Sequence, residues 1–234
     1  VAAAGVEPGG PAGMLRVEWA GEPLALLADK AVLLEAHATL LVADAHVGKA
    51  VSFRRLGVPV PRGTTSETLS TLDALIRRHR PRRIVFLGDF LHSARAHAAS
   101  TLGALARWRT EHAGLELTLV RGNHDEHAGD PPSALGIEVL DGDLRLGPWR
   151  LTHLPSADAA AYTLCGHLHP CVTLGRGFER LRLPCFHFGA AVGVLPAFGA
   201  FTGMHPVRPS PGDCLYVVAG DEVRPLAGGP ATSG

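Results

Sequence analysis

Arg83 to His92 reads RIVFLGDFLH. Four apolar residues follow a basic one, and the run then breaks into Gly88-Asp89 and, three residues on, His92. A continuous apolar run of this length, closed by a turn residue, predicts a strand buried on both faces. Two other stretches have the same form. Thr39 to Ala43 (TLLVA) runs into Asp44-Ala45-His46, and Glu116 to Val120 (ELTLV) runs into Arg121-Gly122-Asn123-His124-Asp125. Helices are predicted between the strands. The first starts near Thr64, where Thr64 and Glu67 fit a capping box, carries an apolar stripe of Leu69, Leu72, Leu75 and Ile76, and stops before Pro81. The second covers roughly Ala98 to His112, with Leu102, Leu105 and Trp108 inward.

From Ile137 to Val223 the pattern changes to short strands separated by Gly and Pro turns, without a long helix. A βαβα half followed by a β-rich half predicts an α/β fold of two packed sheets flanked by helices, in a single domain over residues 14–226. The Ala/Gly/Pro-rich segment 1–13 and the tail 227–234 are expected to be disordered.

Composition narrows the function classes. Apolar residues at 46% and charged residues at 19% provide a large core and argue against a disordered chain. Lys plus Arg equals Asp plus Glu at 22 each, so no global field draws the chain to nucleic acid or to an anionic membrane, and anion binding must come from local charge. Cys165, Cys171, Cys185 and Cys214 form no C-x-x-C pair and read as buried free thiols. The N-terminus does not read as a signal peptide, and no apolar run approaches the ~20 residues of a membrane-spanning helix. A reducing, cytoplasmic setting is the expectation.

The 13 histidines are unusual, and several stand beside Asp or Gly. In α/β sheets, functional groups gather at the carboxyl ends of strands. Each of the three buried strands exits into Asp, Asn or His. Two further runs behave alike: Trp149 to Thr152 leads into His153, and Tyr162 to Cys165 leads into Gly166-His167-Leu168-His169. One such cluster is usually a turn or a core histidine. Five in order, each at a strand exit, point to a metal site. Oxygen and imidazole donors without thiolate suit Mn²⁺, Fe or Zn²⁺.

The order D-x-H, G-D-x-x-H, G-N-H-D, H, G-H-x-H resembles the calcineurin-like metallophosphoesterases. The resemblance implies a four-layer fold, a mixed β-sandwich between helices, with two divalent ions, most readily Mn²⁺. It implies Asp44, His46 and His169 as ligands of one metal, Asn123, His153 and His167 as ligands of the other, and Asp89 as the bridge. Two ions ~3.5–4 Å apart can hold a bridging hydroxide for in-line attack on phosphorus. Four positive charges against two aspartates would make the site locally cationic in a neutral chain. In the resembling family His124 is not a ligand but faces the leaving group, as general acid or charge stabiliser. Many members have Asp where this chain has His92. The histidine here resembles the form in the double-strand-break repair nucleases, and it would titrate with His124 as a coupled pair.

The flanking segments HVGKAVSFRRLGVPVPRGTT (His46 to Thr65), GHLHPCVTL (Gly166 to Leu174) and LPAFGAFTGMHPVRP (Leu195 to Pro209) are similar to the ligase-associated DNA damage response metallophosphoesterases. This resemblance implies a phosphodiesterase, a DNA endonuclease acting on single strands in repair, associated with a DNA ligase and a helicase. Lys49, Arg54, Arg55 and Arg62 follow the first ligand cluster and either line a backbone groove or form a solvated face. Phe198, Phe201, Met204 and His205 either form a stacking wall or, for the two phenylalanines, pack the core. His187 and His205 have no ligand pattern and read as structural. Two other function classes stay open: a phosphoesterase for nucleotides or cyclic nucleotides, and a non-catalytic protein-binding scaffold. Scaffolds typically lose ligands, which this chain retains.

Overall fold

The computed structural model describes residues 4–7, 13–49, 64–175, 180–200 and 202–226. The first sheet has eight strands in sequence order: β1 (Ala4–Glu7), β2 (Met14–Trp19), β3 (Glu22–Leu27), β4 (Ala31–Leu34), β5 (Thr39–Ala43), β6 (Arg83–Leu87), β7 (Glu116–Val120) and β8 (Ile137–Leu140). Strands β1 to β5 pair antiparallel, and β5 to β8 pair parallel. The parallel half is the part joined by helices, α1 (Thr64–His79) and α2 (Ala99–Glu111). All three runs expected as buried strands form β5, β6 and β7, and both expected helices form within about a residue of their predicted ends. The N-terminal expectation needs correction: Ala4–Glu7 pairs with β2 as an edge strand. The small side chains that suggested disorder do not prevent backbone pairing at an edge. The tail 227–234 lies outside the described residues.

The second sheet is built from β9 (Leu144–Leu146), β10 (Trp149–Leu151), β11 (Tyr162–Cys165), β12 (Pro170–Leu174), β13 (Leu181–Phe188), β14 (Val192–Val194), β15 (His205–Pro206), β16 (Cys214–Ala219) and β17 (Glu222–Pro225). Its order is β15-β12-β13-β14-β11-β10-β9, with β16 joining β13 to β17. Among the described residues no α-helix follows Ala128, and no helix is long and apolar enough to cross a membrane.

Strand alternation divides the interior in two. On β5, Leu40 and Val42 join Leu69, Leu72 and Leu75 of α1 and Leu105 and Trp108 of α2 in one core. Leu41 and Ala43 face the other way, into a core with Trp149, Leu164, Phe186 and Phe188 of the second sheet. This two-sided burial is why β5 and β6 lack polar alternation. It also brings the ends of β5, β6 and β7 against the ends of β10 and β11, at one rim where every ligand motif lies. The outer face of the second sheet carries a smaller cluster of Val172, Cys185, Leu215 and Val217.

Candidate metal centre

The ligand loops are joined by backbone before any metal is considered. His46 N–H donates to Asp89 O at 2.9 Å, Val47 N–H to Phe90 O at 2.8 Å, and His92 N–H to Val47 O at 3.2 Å. The parallel pairing of β5 and β6 therefore continues past the ends of the strands into the loops that carry Asp44, His46, Asp89 and His92. Nine non-glycine residues among those described have positive φ, and five of them are Asp44, His46, Asp89, His167 and His169. Such a backbone is costly for residues with a Cβ and concentrates at functional sites. Here it turns each side chain out of its strand line into the rim.

Two neighbouring glycines are required by close approach. A Cβ at Gly122 would overlap the Asp89 carboxylate, and one at Gly166 would reach 2.5 Å from Asp44 Oδ2. The glycines of G-N-H and G-H-x-H are thus spaces for carboxylates carried by other motifs.

Asp44, His46, Asp89 and His153 are buried, and their polar atoms converge. Candidate donor atoms of Asp44, His46 and His169 lie within 4.8 Å of one another, as do those of Asp44, Asp89 and His153. His153 Nδ1 bonds to Leu87 O at 3.0 Å and His169 Nδ1 to Gly203 O at 3.0 Å. Each Nδ1–H donates to a carbonyl, so each Nε2 lone pair points inward, the arrangement that orients histidine ligands. His153 Nε2 lies 2.9 Å from Asn123 Oδ1 and 3.1 Å from His167 Nδ1. Three acceptor-capable atoms meeting there suit a shared cation. On the other side, Asp44 Oδ1, His169 Nε2 and His46 Nδ1 are buried without a hydrogen-bond partner. Asp89 lies between the two groups, with Oδ1 3.5 Å from His153 Nε2 and Oδ2 3.9 Å from His46 Nε2. The donor set fits two divalent ions.

Electrostatics agrees. Burial first, then the neighbouring Lys49, His92 and His169 charges, drives the His46 pKa down to about 2. Burial also lowers His167. Neutral imidazole is the ligating form. His92 stands beside this group, its ring stacked 5.6 Å from His124 and edge-on 5.3 Å from His46. Burial, with Lys49 and His124, lowers its pKa to about 4. His124 is more open, with 45% of its side chain exposed and Nε2 3.9 Å from Asp89 Oδ2.

All nine residues expected as ligands or catalytic histidines meet at this rim. Of the four basic residues expected to bind substrate, Lys49 is half-buried beside Asp89 and Asp44, with burial lowering its pKa. Arg54, Arg55 and Arg62 lie outside the described residues, as does Phe201. Phe198 packs in the helix-side core.

Three features escaped sequence reasoning. Asp125 is fully buried and accepts the N–H groups of Gly122 (2.9 Å) and Leu91 (3.2 Å), fastening two ligand loops together. Its place three residues after Gly122, at the start of α3 (Asn123–Ala128), is the only signal for it. His187, read as structural, also lines a cavity of about 640 Å³ that opens on Asp89, His124, His167 and His169, as does His205, which the sequence offered for a stacking wall. Arg208 lines it as well.

The calcineurin-like phosphoesterase family model matches residues 37–189, the span that holds every candidate ligand. The chain belongs to the calcineurin-like phosphoesterases. As a member it is a metal-dependent phosphoesterase, and the two donor clusters are its candidate sites for divalent metal. The nuclease MPE of Pseudomonas putida is similar in structure, with 42% identity and a TM-score of 0.82 over 91% of this chain and 100% of that one. A phosphoesterase of E. coli, Yfce, aligns at 14% identity and a TM-score of 0.37 over 81% of this chain and 98% of that one, too remote to carry an argument. No curated protein sequence matches the chain.

Proposed function

We propose that this phosphoesterase is a binuclear phosphodiesterase that cleaves DNA, preferentially single-stranded, in repair. The observation that carries the nuclease reading is the 42% identity to a nuclease over that protein's whole length. The convergence of seven metal donors at one rim supports a site able to act on a phosphodiester. In this reading Asp44, His46 and His169 would hold one ion, Asn123, His153 and His167 the other, and Asp89 would be shared between them. When bound, the ions, most readily Mn²⁺, supply Lewis-acid chemistry: they activate water and neutralise phosphoryl oxygens.

The protein's own groups do the rest. His124 opens onto the cavity and holds a proton toward the leaving oxygen. His92, stacked against it, fixes the plane of its ring. Lys49, Arg54, Arg55 and Arg62 draw the strand's backbone toward the rim. Association with a DNA ligase and a helicase completes the repair assignment by family resemblance. A cytoplasmic setting is supported by four buried free cysteines.

The test compares Mn²⁺-loaded protein on single-stranded DNA, duplex DNA, 2′,3′-cyclic nucleotides and a nitrophenyl phosphodiester. Single strands are expected to be cleaved fastest. The combined Arg54→Ala and Arg55→Ala change is expected to flatten the salt dependence, by ~0.7 in slope for each phosphate that is no longer neutralised. Cleavage confined to cyclic nucleotides would replace DNA with a small substrate.

A further inference from the structure

We propose that the cavity beside the metal ligands is a nucleotide subsite, which holds the nucleoside adjacent to the scissile phosphate while Arg208 takes the next backbone phosphate. The inference rests on the phosphodiesterase reading and deepens it.

The cavity begins at Asp89, His124, His167 and His169 and continues past Leu168 to the segment 205–208. A ligand bound by the metals through one phosphate must therefore extend into it or into solvent. Its volume of about 640 Å³ falls in the range of small-ligand sites, ~300–1,000 Å³. Leu168 stands between two candidate ligands yet is 44% exposed. His167 and His169 flank it at φ 70° and 47°, so the same backbone that aims the two rings inward holds Leu168 in the open. An apolar side chain fixed at the mouth of a polar site offers a face to something flat and apolar.

The opposite wall is equally fixed. His205 N–H donates to His169 O at 3.0 Å, and Val207 N–H donates to Cys171 O at 2.9 Å. These bonds belong to the parallel pairing of β12 and β15. They hold the exposed His205 ring 6.5 Å from that of His169. A base can lie against such a ring by stacking, which tolerates any base. His187 also lines the cavity, held by Asp213 at 2.7 Å; that carboxylate also accepts Ser210 N–H at 2.8 Å.

Arg208 supplies the charge. It is exposed and lines the cavity, and among the described residues it forms no ion pair, whereas Arg83, Arg121, Arg145 and Arg150 are each paired with carboxylates. A guanidinium left open next to a phosphate-binding centre matches a second phosphate.

Calorimetry on the Mn²⁺-loaded full chain tests this with three probes: inorganic phosphate, thymidine 5′-monophosphate and thymidine 3′,5′-bisphosphate. Each addition is expected to tighten binding by about tenfold, the nucleoside through stacking and the second phosphate through Arg208. His205→Ala is expected to remove the nucleoside gain and His205→Phe to restore it. Arg208→Ala is expected to remove only the gain from the second phosphate. Equal affinity for the three probes, or gains that survive both alanine substitutions, would overturn the subsite. Binding in the expected order without hydrolysis of any diester would instead remove the phosphodiesterase reading and leave the subsite standing.

Discussion

Asp125 binds the backbone N–H of Leu91 across 34 positions of sequence. Through it the loop of Asn123 and His124 is tied to the loop of Asp89 and His92, and its other oxygen takes Gly122 N–H. Burial raises the Asp125 pKa, and the two backbone donors offset part of that effect. Asp125→Ala leaves both N–H groups buried and unpaired. We expect a stability loss of about 1–3 kcal/mol from unsatisfied donors and a ~10–100-fold loss of metal affinity from misplaced ligands. Denaturant unfolding and metal titration check the two effects. Unchanged values in both would mean that Asp125 does not organise the centre.

His124 tests the proton-transfer assignment. His124→Ala should retain its metals but lose ~10²–10⁴-fold in turnover on a diester with an alkoxide leaving group. A nitrophenolate needs no proton, so a nitrophenyl ester should recover much of the rate. Equal losses on the two esters would assign His124 to something other than proton donation.

Lys30 links stability to pH near the centre. Its ammonium donates to Phe198 O at 2.8 Å, and the same loop bonds back to the β5 exit through Phe198 N–H to Ala43 O and Gly199 N–H to Asp44 O. Burial lowers its pKa from 10.5 to about 8, against the opposing charges of Glu67 and Asp29. Because the folded pKa is depressed, the stabilisation that Lys30 contributes is greatest above pH 10.5 and is lost as pH falls through about 8. The stability of the wild type relative to Lys30→Met should therefore rise between pH 8 and 10.5. Unfolding of both proteins across that range would show it, and a constant difference would contradict it.

The parallel strands and their exits were legible in the sequence because burial on both faces produces unbroken apolar runs, and a run that stops at Asp or Gly-Asp marks its own end. The same punctuation exposed the candidate ligands. Asp125 was not legible, since its partners are backbone N–H groups that leave no mark on sequence. The cavity wall was legible only in part: His205 stood among the candidates for a stacking wall, whereas His187 and Arg208 carried no signal for it. His205 lies 36 positions beyond His169, and the two meet through a two-residue strand pairing with β12, too short to produce a pattern. Edge strand β1 was hidden by its small residues.

The most direct test of a bridged binuclear centre is metal counting on the wild type and Asp89→Ala, with diester hydrolysis measured on the same samples. Asp89 stands between the two donor groups. The wild type should hold two divalent ions per chain, with activity that follows the second equivalent and disappears with a chelator. Asp89→Ala should lose occupancy at both positions and all measurable turnover. A single ion at saturation, or near-normal activity and two ions in Asp89→Ala, would contradict a binuclear centre bridged by Asp89.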